Sequence, residues 1–199
     1  EALIDERTMK KKTMIVLMSA FLLLSAFSCG GGNKANSTSE QSEETAVNLP
    51  QFDADSAYLY VKNQVYFVPR VPNTKEHVAC GNYLAGQLEA FGAQVTNQYA
   101  DLIAYDGTLL KARNIIGSYK PESKKRIALF AHCDTRPWAD NDPDEKNHNT
   151  PILGANDGAS GVGALLEIAR LVNQQQPELG IDIILLDAED YGAPQFYTG

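Results

Sequence analysis

Two short apolar runs, each followed by ionisable side chains, constrain the fold of this 199-residue chain more than any other feature. Residues 126–132 and 181–186 have the length and composition of buried strands, and the first run ends at His132. Between them, residues 157–174 carry apolar side chains at helical spacing. A strand, a crossover helix and a second strand predict a βαβ unit with two parallel strands.

Upstream of this unit the pattern predicts two helices and a hairpin. Thr74 is a suitable N-cap for the second helix, and Asp106-Gly107 is a strong hairpin turn signal. The predicted fold is therefore α/β, a three-layer sandwich with a mixed, partly parallel central sheet. The predicted elements are helices at 53–67 and 74–91 and strands at 93–99, 101–105 and 108–119.

The composition excludes several classes of protein. A hydrophobic fraction of 44% and a charged fraction of 21% are typical of a globular chain. The formal net charge is −8, and no basic stripe interrupts the acidity outside the extreme N-terminus. Because phosphate binding needs such a stripe, nucleic acid is not an expected partner. Three cysteines are too few for a disulfide scaffold.

The N-terminal region has the pattern of an export signal. Residues 9–28 combine a basic start, an apolar stretch and small residues, and residues 1–8 precede the natural start. Cys29 stands where a bacterial lipoprotein carries its lipid, although ordinary cleavage after residue 28 gives the same export. Residues 29–48 are predicted to form a polar, disordered linker. We expect a lipid-anchored protein in the periplasm or cell envelope of a Gram-negative bacterium, and the lipid anchor is its only expected membrane contact.

Ionisable side chains follow both predicted strands and begin the helix between them. These are His132 and Asp134, then Asp157, then Glu189 and Asp190. The carboxyl ends of parallel strands line one crevice of an α/β sheet, so these groups are expected to converge. Histidine with carboxylates is a ligand set for zinc, and two adjacent carboxylates allow one to bind metal while the other moves protons.

Each group also has a simpler explanation when it is taken alone. His132 could be a structural histidine, Asp157 an N-cap, and the acidic pair a solvated turn. The convergence of the three clusters favours the metal site over these readings. Residues 49–199 are predicted to be the N-terminal part of a folded domain.

Five further side chains are reactive or bulky enough to matter at a site. His77 is expected on a surface helix and His148 in a polar loop, without a functional role. Cys80 and Cys133 are expected as small buried fillers, with a disulfide between them unsupported. Trp138 is either a loop anchor or a wall of the substrate pocket, and the pocket is favoured.

Three motifs resemble those of the zinc exopeptidase superfamily, which includes bacterial aminopeptidases and the animal-type glutaminyl cyclases. They are Ala-His-Cys-Asp at 131–134, Gly-Ala-Asn-Asp-Gly-Ala-Ser-Gly at 154–161 and Leu-Asp-Ala-Glu-Asp-Tyr at 186–191. The segments 114–117, 132–140 and 187–190 resemble the glutaminyl cyclase branch, notably its exported bacterial members. Residues 70–74 are similar to the motif before the family's first long helix. The resemblance extends from residue 51 to the last residue.

The resemblance implies roles for the candidate residues. Asp157 and Asp190 match metal ligands, and one zinc ion is expected. Glu189 matches the general acid and base. His132 and Asp134 match the His-x-Asp of two-metal peptidases, whose histidine lies near the metal without binding it in single-zinc cyclases.

The resemblance also implies a third zinc ligand, a histidine near the C-terminus of these enzymes. Neither His77 nor His148 matches it, so the chain is expected to be the C-terminally truncated, N-terminal fragment of a longer enzyme, inactive alone. The implied activity is that of a glutaminyl-peptide cyclotransferase, an acyltransferase that converts the N-terminal Gln of peptides or proteins to pyroglutamate and releases ammonia. The alternatives are a zinc aminopeptidase of the same fold and a non-catalytic, lipid-anchored peptide-binding protein.

Overall fold

The fold is built on a four-stranded mixed sheet, described for residues 48–193 by a computed structural model. The predicted signal segment and Cys29 lie outside these residues. Within them, no helix has both the length and the apolarity to cross a membrane. The elements are α1 (Ala54–Val65), α2 (Lys75–Ala90), β1 (Gln94–Ile103), β2 (Leu109–Tyr119), β3 (Arg126–His132), a 3-10 turn (Glu145–Asn147), α3 (Ala159–Gln174) and β4 (Gly180–Leu186).

The strand order β1-β2-β4-β3 contains the predicted parallel pair. β3 and β4 run parallel with α3 as their crossover, whereas β2 is antiparallel to both β1 and β4. His132 lies opposite Leu186 in the register. The last residues of β3 and β4 therefore meet at the same edge of the sheet, and the βαβ prediction is confirmed.

Local signals define the elements before the parallel pair. The Thr74 hydroxyl accepts the backbone N–H of His77 at 3.2 Å, which caps α2 as predicted. In the hairpin turn, the Asp106 carboxylate accepts the N–H of Thr108 at 2.9 Å, and Gly107 has a φ of 86°. β1 is one continuous strand, where the sequence predicted two short ones, because it pairs with β2 along its whole length.

The core lies between the sheet and the helices. α2 packs on β1 and β2, and α3 packs on β3 and β4. α1 packs mainly on α3 and so adds a further helix outside it. The mixed sheet with its flanking helices confirms the predicted α/β class. The fully buried aliphatic side chains of this core are Leu84, Leu88, Ile115, Val162, Leu166, Ile183 and Leu185.

One prediction about β3 is wrong, since this strand is only half buried. Ile127 is 45% exposed and Phe130 is 58% exposed. β3 lies at the edge of the sheet within the described residues, and Leu129 and Ala131 are the β3 side chains that pack against the core. Apolar composition alone does not reveal whether one face of a strand or both are covered.

Gly163 allows α1 and α3 to approach closely. A Cβ atom at this position would lie 2.7 Å from Cγ2 of Val61 and 2.9 Å from the carbonyl oxygen of Ala57. Because one of these atoms belongs to the backbone of α1, a side chain cannot be accepted without moving the helix. The glycine therefore fixes the distance between the two helices.

We expect Gly163→Ala to lower the free energy of unfolding. Overpacking costs about 1–3 kcal/mol, which outweighs the gain of up to about 1 kcal/mol that alanine brings to a helix. Gly86→Ala in α2 is the matched control, since a Cβ there has nothing within 4 Å. It should stabilise the fold. Urea unfolding of both variants would test this, and equal effects of the same sign would contradict it.

Candidate metal centre

Three side chains from different elements converge at the edge where β3 and β4 end. His132 is the last residue of β3, Asp157 precedes α3, and Asp190 lies in the loop after β4. One ligand atom from each residue lies within 4.8 Å of the other two. Nε2 of His132 is 2.9 Å from Oδ1 of Asp157. The convergence predicted from the sequence is therefore present.

Asp157 does not cap α3, although that was its simplest explanation. The N-cap is Gly158, which has a φ of 85° and makes no side-chain capping bond. A Cβ at Gly158 would lie 3.0 Å from Cε1 of His132 and 3.0 Å from the carbonyl oxygen of Asp134. The glycine lets the chain turn tightly against the end of β3. The Asp157 carboxylate, 65% exposed, is thereby directed to His132 instead of its own helix.

The loop after β4 is held by side chains that accept its backbone N–H groups. Four successive residues donate in this way, which leaves none of these N–H groups unpaired. Asp134 is the main acceptor, and its side chain is fully buried. The bonds run from Asp187 to Asn114 Oδ1 at 2.9 Å, from Ala188 to Asp187 Oδ1 at 2.8 Å, from Glu189 to Asp134 Oδ1 at 3.3 Å and from Asp190 to Asp134 Oδ2 at 3.0 Å.

The two carboxylates of the acidic pair lie in different environments. Asp190 is 5% exposed, and its Oδ2 is buried without a hydrogen-bond partner. Burial first, and then the nearby Asp157 and Asp134 carboxylates, raise the pKa of Asp190 to about 6. The Glu189 side chain is 56% exposed, with Oε2 at 3.9 Å from Nδ1 of His132. One carboxylate therefore belongs to the buried cluster and the other faces solvent.

His132 carries the positive charge of the cluster. Its Nδ1 lies 3.4 Å from Oδ1 of Asp134. The Asp134 carboxylate, followed by Asp157, raises the pKa of His132 to about 9 against the opposing effect of burial. Glu189 adds a smaller effect in the same direction. A proton is thus held among these carboxylates.

The residues present fit a divalent cation. Four carboxylates surround one imidazole, and a buried carboxylate oxygen of Asp190 lacks a partner. Nitrogen and oxygen donors of this kind suit zinc, which usually takes four ligands. The described residues supply three donors close together, and a bound cation would replace the proton on His132 as the compensating charge. The roles of the individual residues stay predictions.

Two of the remaining predicted residues lie beside the acidic loop. Asp134 acts on this loop through backbone hydrogen bonds and does not join the cluster of three ligand atoms. Trp138 packs edge-on against Tyr191, with ring centroids 5.1 Å apart, and lies 6.1 Å from Tyr105. Its role as a pocket wall stays a prediction. Arg136 connects the loops that follow β3 and β4. It pairs with Asp140 and donates to the carbonyl oxygen of Asp190 at 3.1 Å.

The prediction for His77 is wrong, because this side chain is buried and not on a surface. Its Nε2 lies 2.8 Å from Oδ1 of Asp187. The partner is 110 residues away, so no local pattern could indicate the contact. His148 does lie in a polar loop, with Nε2 at 2.8 Å from the carbonyl oxygen of Asp142. Cys80 and Cys133 are buried free thiols.

Arg70 is a structural residue of the site that the sequence did not single out. Its side chain is fully buried. It donates to the carbonyl oxygens of Cys133 at 3.2 Å, Leu153 at 2.9 Å and Gly154 at 3.0 Å. It therefore joins the chain after β3 to the segment that leads into Asp157. The only sequence signal was the motif at residues 70–74, which gave no role.

Comparison with known proteins agrees with this geometry. The profile of Peptidase family M28 matches residues 114–197. The crystal structure of a Bacteroides thetaiotaomicron glutaminyl cyclase bound to N-acetylhistamine is 93% identical, with a TM-score of 0.74 over 76% of this chain and 52% of that chain. The Porphyromonas gingivalis glutaminyl cyclase is 51% identical, with a TM-score of 0.71 over 73% of this chain and 51% of that chain. Aminopeptidase YwaD of Bacillus subtilis is 29% identical over 75% of this chain and 30% of its own length.

The fold is that of the zinc exopeptidase class, with a mixed sheet and the candidate ligands at one edge. Within that class, the chain resembles the bacterial glutaminyl cyclases. It spans about half the length of the solved structures that it matches, 52% for the Bacteroides enzyme.

We expect Asp157→Asn to lower the pKa of His132 in the metal-free protein. The pKa should fall below about 9 yet stay above 6.5, since Asp134 remains beside the ring. NMR titration of the ring would measure it. Glu122→Gln, in the turn before β3 and so at the far end of this strand, is the charge-matched control. An unchanged His132 pKa in Asp157→Asn would contradict the arrangement.

Proposed function

We propose that the protein is a glutaminyl-peptide cyclotransferase, which closes the N-terminal glutamine of peptides or proteins to pyroglutamate and releases ammonia. The observation that carries the proposal is the division within the acidic pair. Asp190 is buried beside Asp157 and His132, with an unpartnered oxygen in the cluster, whereas Glu189 is exposed beside the same cluster. The similarity to bacterial glutaminyl cyclases supports the same reaction.

The proposed chemistry follows from these positions. Asp157 and Asp190 would hold one zinc ion, which supplies Lewis-acid polarisation of a carbonyl oxygen. Glu189 takes a proton from the α-amine as its nitrogen attacks the γ-carbonyl carbon of the same glutamine. The new C–N bond closes the ring. Glu189 then delivers the proton to the departing amide nitrogen, which leaves as ammonia.

An aminopeptidase is the second candidate, favoured by one observation. Nε2 of His132 lies in the ligand cluster itself, where a second metal would find an imidazole donor. One structure at 93% identity is described as a leucine aminopeptidase precursor from Bacteroides thetaiotaomicron. Elemental analysis of the full-length protein separates the two. One tightly bound zinc per chain is expected of the cyclase, and two would favour the peptidase.

In the full-length enzyme, we expect Glu189→Gln to lower ammonia release from a Gln-peptide by about 10²–10⁴-fold and to leave the bound zinc in place. The amide keeps the size of the side chain and cannot accept the proton. Ammonia release and zinc content are measured on the same sample of each protein.

Asp190→Asn is the matched variant in the same loop. It should lose zinc as well as activity, because a neutral amide is a poor ligand for the cation. The opposite pattern, with zinc lost in Glu189→Gln and kept in Asp190→Asn, would reverse the assignment within the pair. Zinc-bound wild-type protein that releases no ammonia would support the non-catalytic, peptide-binding alternative.

We also propose that the protein is exported and anchored by lipid at Cys29 in the cell envelope. The basic start, apolar stretch and polar linker of residues 9–48 support this. In a Gram-negative host, Cys29→Ala should abolish metabolic labelling with palmitate and move the protein from the membrane fraction to the soluble periplasmic fraction. Labelling that persists in Cys29→Ala would contradict the anchor, and an unlabelled, exported wild-type protein would favour ordinary cleavage.

A further inference from the structure

His77 and Asp187 form a buried contact that lies outside the ligand cluster. Nε2 of His77 is 2.8 Å from Oδ1 of Asp187, and the two side chains are 9% and 0% exposed. The contact joins the first turn of α2 to the loop after β4. The contact therefore connects α2, which carries none of the candidate metal ligands, to the loop that carries Glu189 and Asp190.

Asp187 receives hydrogen bonds from three directions. Its Oδ1 accepts from His77 and from the backbone N–H of Ala188 at 2.8 Å, and its Oδ2 accepts from the backbone N–H of Arg113 at 2.7 Å. A buried carboxylate that loses one of its donors keeps an uncompensated negative charge. The imidazole is the only side chain among these donors, so it is the one that a substitution can remove.

The residue that follows Asp187 is in an unusual conformation. Ala188 has a φ of 60°, in the left-handed region that residues with a Cβ rarely adopt. Its N–H is bonded to Asp187, and the next two N–H groups are bonded to Asp134. The turn at Ala188 therefore sets the direction in which the chain reaches Glu189, and Asp187 holds that turn.

We propose that His77 is a positioning residue. Through Asp187 it fixes the left-handed turn at Ala188, and through that turn it fixes the place of the Glu189 carboxylate. His77 touches none of the reacting groups. The consequence for turnover rests on the proposed cyclase function, whereas the consequence for the loop does not.

Hydrogen exchange of the backbone amides in residues 187–190 tests the loop directly. All four amides are bonded to side chains, so their exchange rates report how firmly the loop is held. We expect His77→Leu to speed their exchange by about tenfold or more, with little change in residues 115–119 of β2, which lie beyond the Arg113 amide that also bonds to Asp187. Cys80→Ala is the control, because Cys80 is a buried residue of the same helix and makes no bond to Asp187.

Two polar variants separate the hydrogen bond from packing. The amide nitrogen of His77→Gln can reach the position of the ring Nε2, whereas that of His77→Asn is too short. We expect His77→Gln to keep most of the protection and His77→Asn to lose it. This pair also gives a result if His77→Leu fails to fold.

In the full-length enzyme, the same variants should separate kcat from KM. A misplaced proton acceptor weakens the chemical step, so we expect kcat to fall by about 10–100-fold in His77→Asn while KM changes little and zinc is retained. His77→Gln should recover most of kcat. A wild-type protein without cyclase activity would contradict the proposed function. The positioning role would still be tested, because the exchange rates of residues 187–190 are measured in every variant.

Three results would overturn the positioning role. The first is exchange of residues 187–190 that stays at the wild-type rate in both His77→Leu and His77→Asn. The second is equally fast exchange in Cys80→Ala, which would show a general loosening of α2. The third is equal loss in His77→Gln and His77→Asn, which would show that the Nε2 donor is not what holds the loop.

Discussion

The site depends on how one short loop satisfies its backbone N–H groups. Residues 187–190 leave the sheet at the end of β4, and each of their N–H groups donates to a side-chain oxygen. Two of these bonds end on the buried carboxylate of Asp134, which belongs to the loop after β3. The loops after β3 and β4 are thus joined by hydrogen bonds, and these bonds fix the position of Asp190.

These hydrogen bonds bring several carboxylates close together at one edge of the sheet. The Asp134 side chain accepts two backbone N–H groups of this loop, and the side chains of Asp157 and Asp190 lie nearby. The Asp134 carboxylate, with Asp157, raises the pKa of His132 to about 9, and burial, with the neighbouring carboxylates, raises the pKa of Asp190 to about 6. In the metal-free protein both groups therefore bind a proton more readily than they do in water. The same excess of charge makes the edge of the sheet attractive to a cation. The same carboxylates therefore repel one another in the metal-free fold and provide the negative charge that a cation would bind.

Much of the fold was predictable because its signals are local. Thr74 and the Asp106-Gly107 turn act on residues only two or three positions away, and the two apolar runs gave the strands almost to the residue. The convergence at the sheet edge also followed, since it is a property of any parallel pair. The helix beginning was displaced by two residues because Gly158, and not Asp157, takes the N-cap position.

What the sequence could not reveal depends on distant partners. The burial of His77 is decided by a carboxylate 110 residues away, and the exposure of Phe130 by the lack of packing, within the described residues, on its face of β3. The residues next to His77 and Phe130 in the sequence give no signal of either outcome. The different surroundings of Glu189 and Asp190 likewise arise from Asp134 and from the turn at Ala188. Adjacent acidic residues look alike until the backbone direction between them is known.

The buried guanidinium of Arg70 has a consequence for the order of folding. Its three carbonyl acceptors lie 63, 83 and 84 residues further along the chain. Contacts across such separations form only after long loops have closed, which slows folding relative to local helices and hairpins. We therefore expect the edge that carries the candidate metal ligands to assemble late, after α2 and the hairpin. During synthesis, Asp190 can join His132 and Asp157 only after the chain has been made through β4 and the loop that follows it.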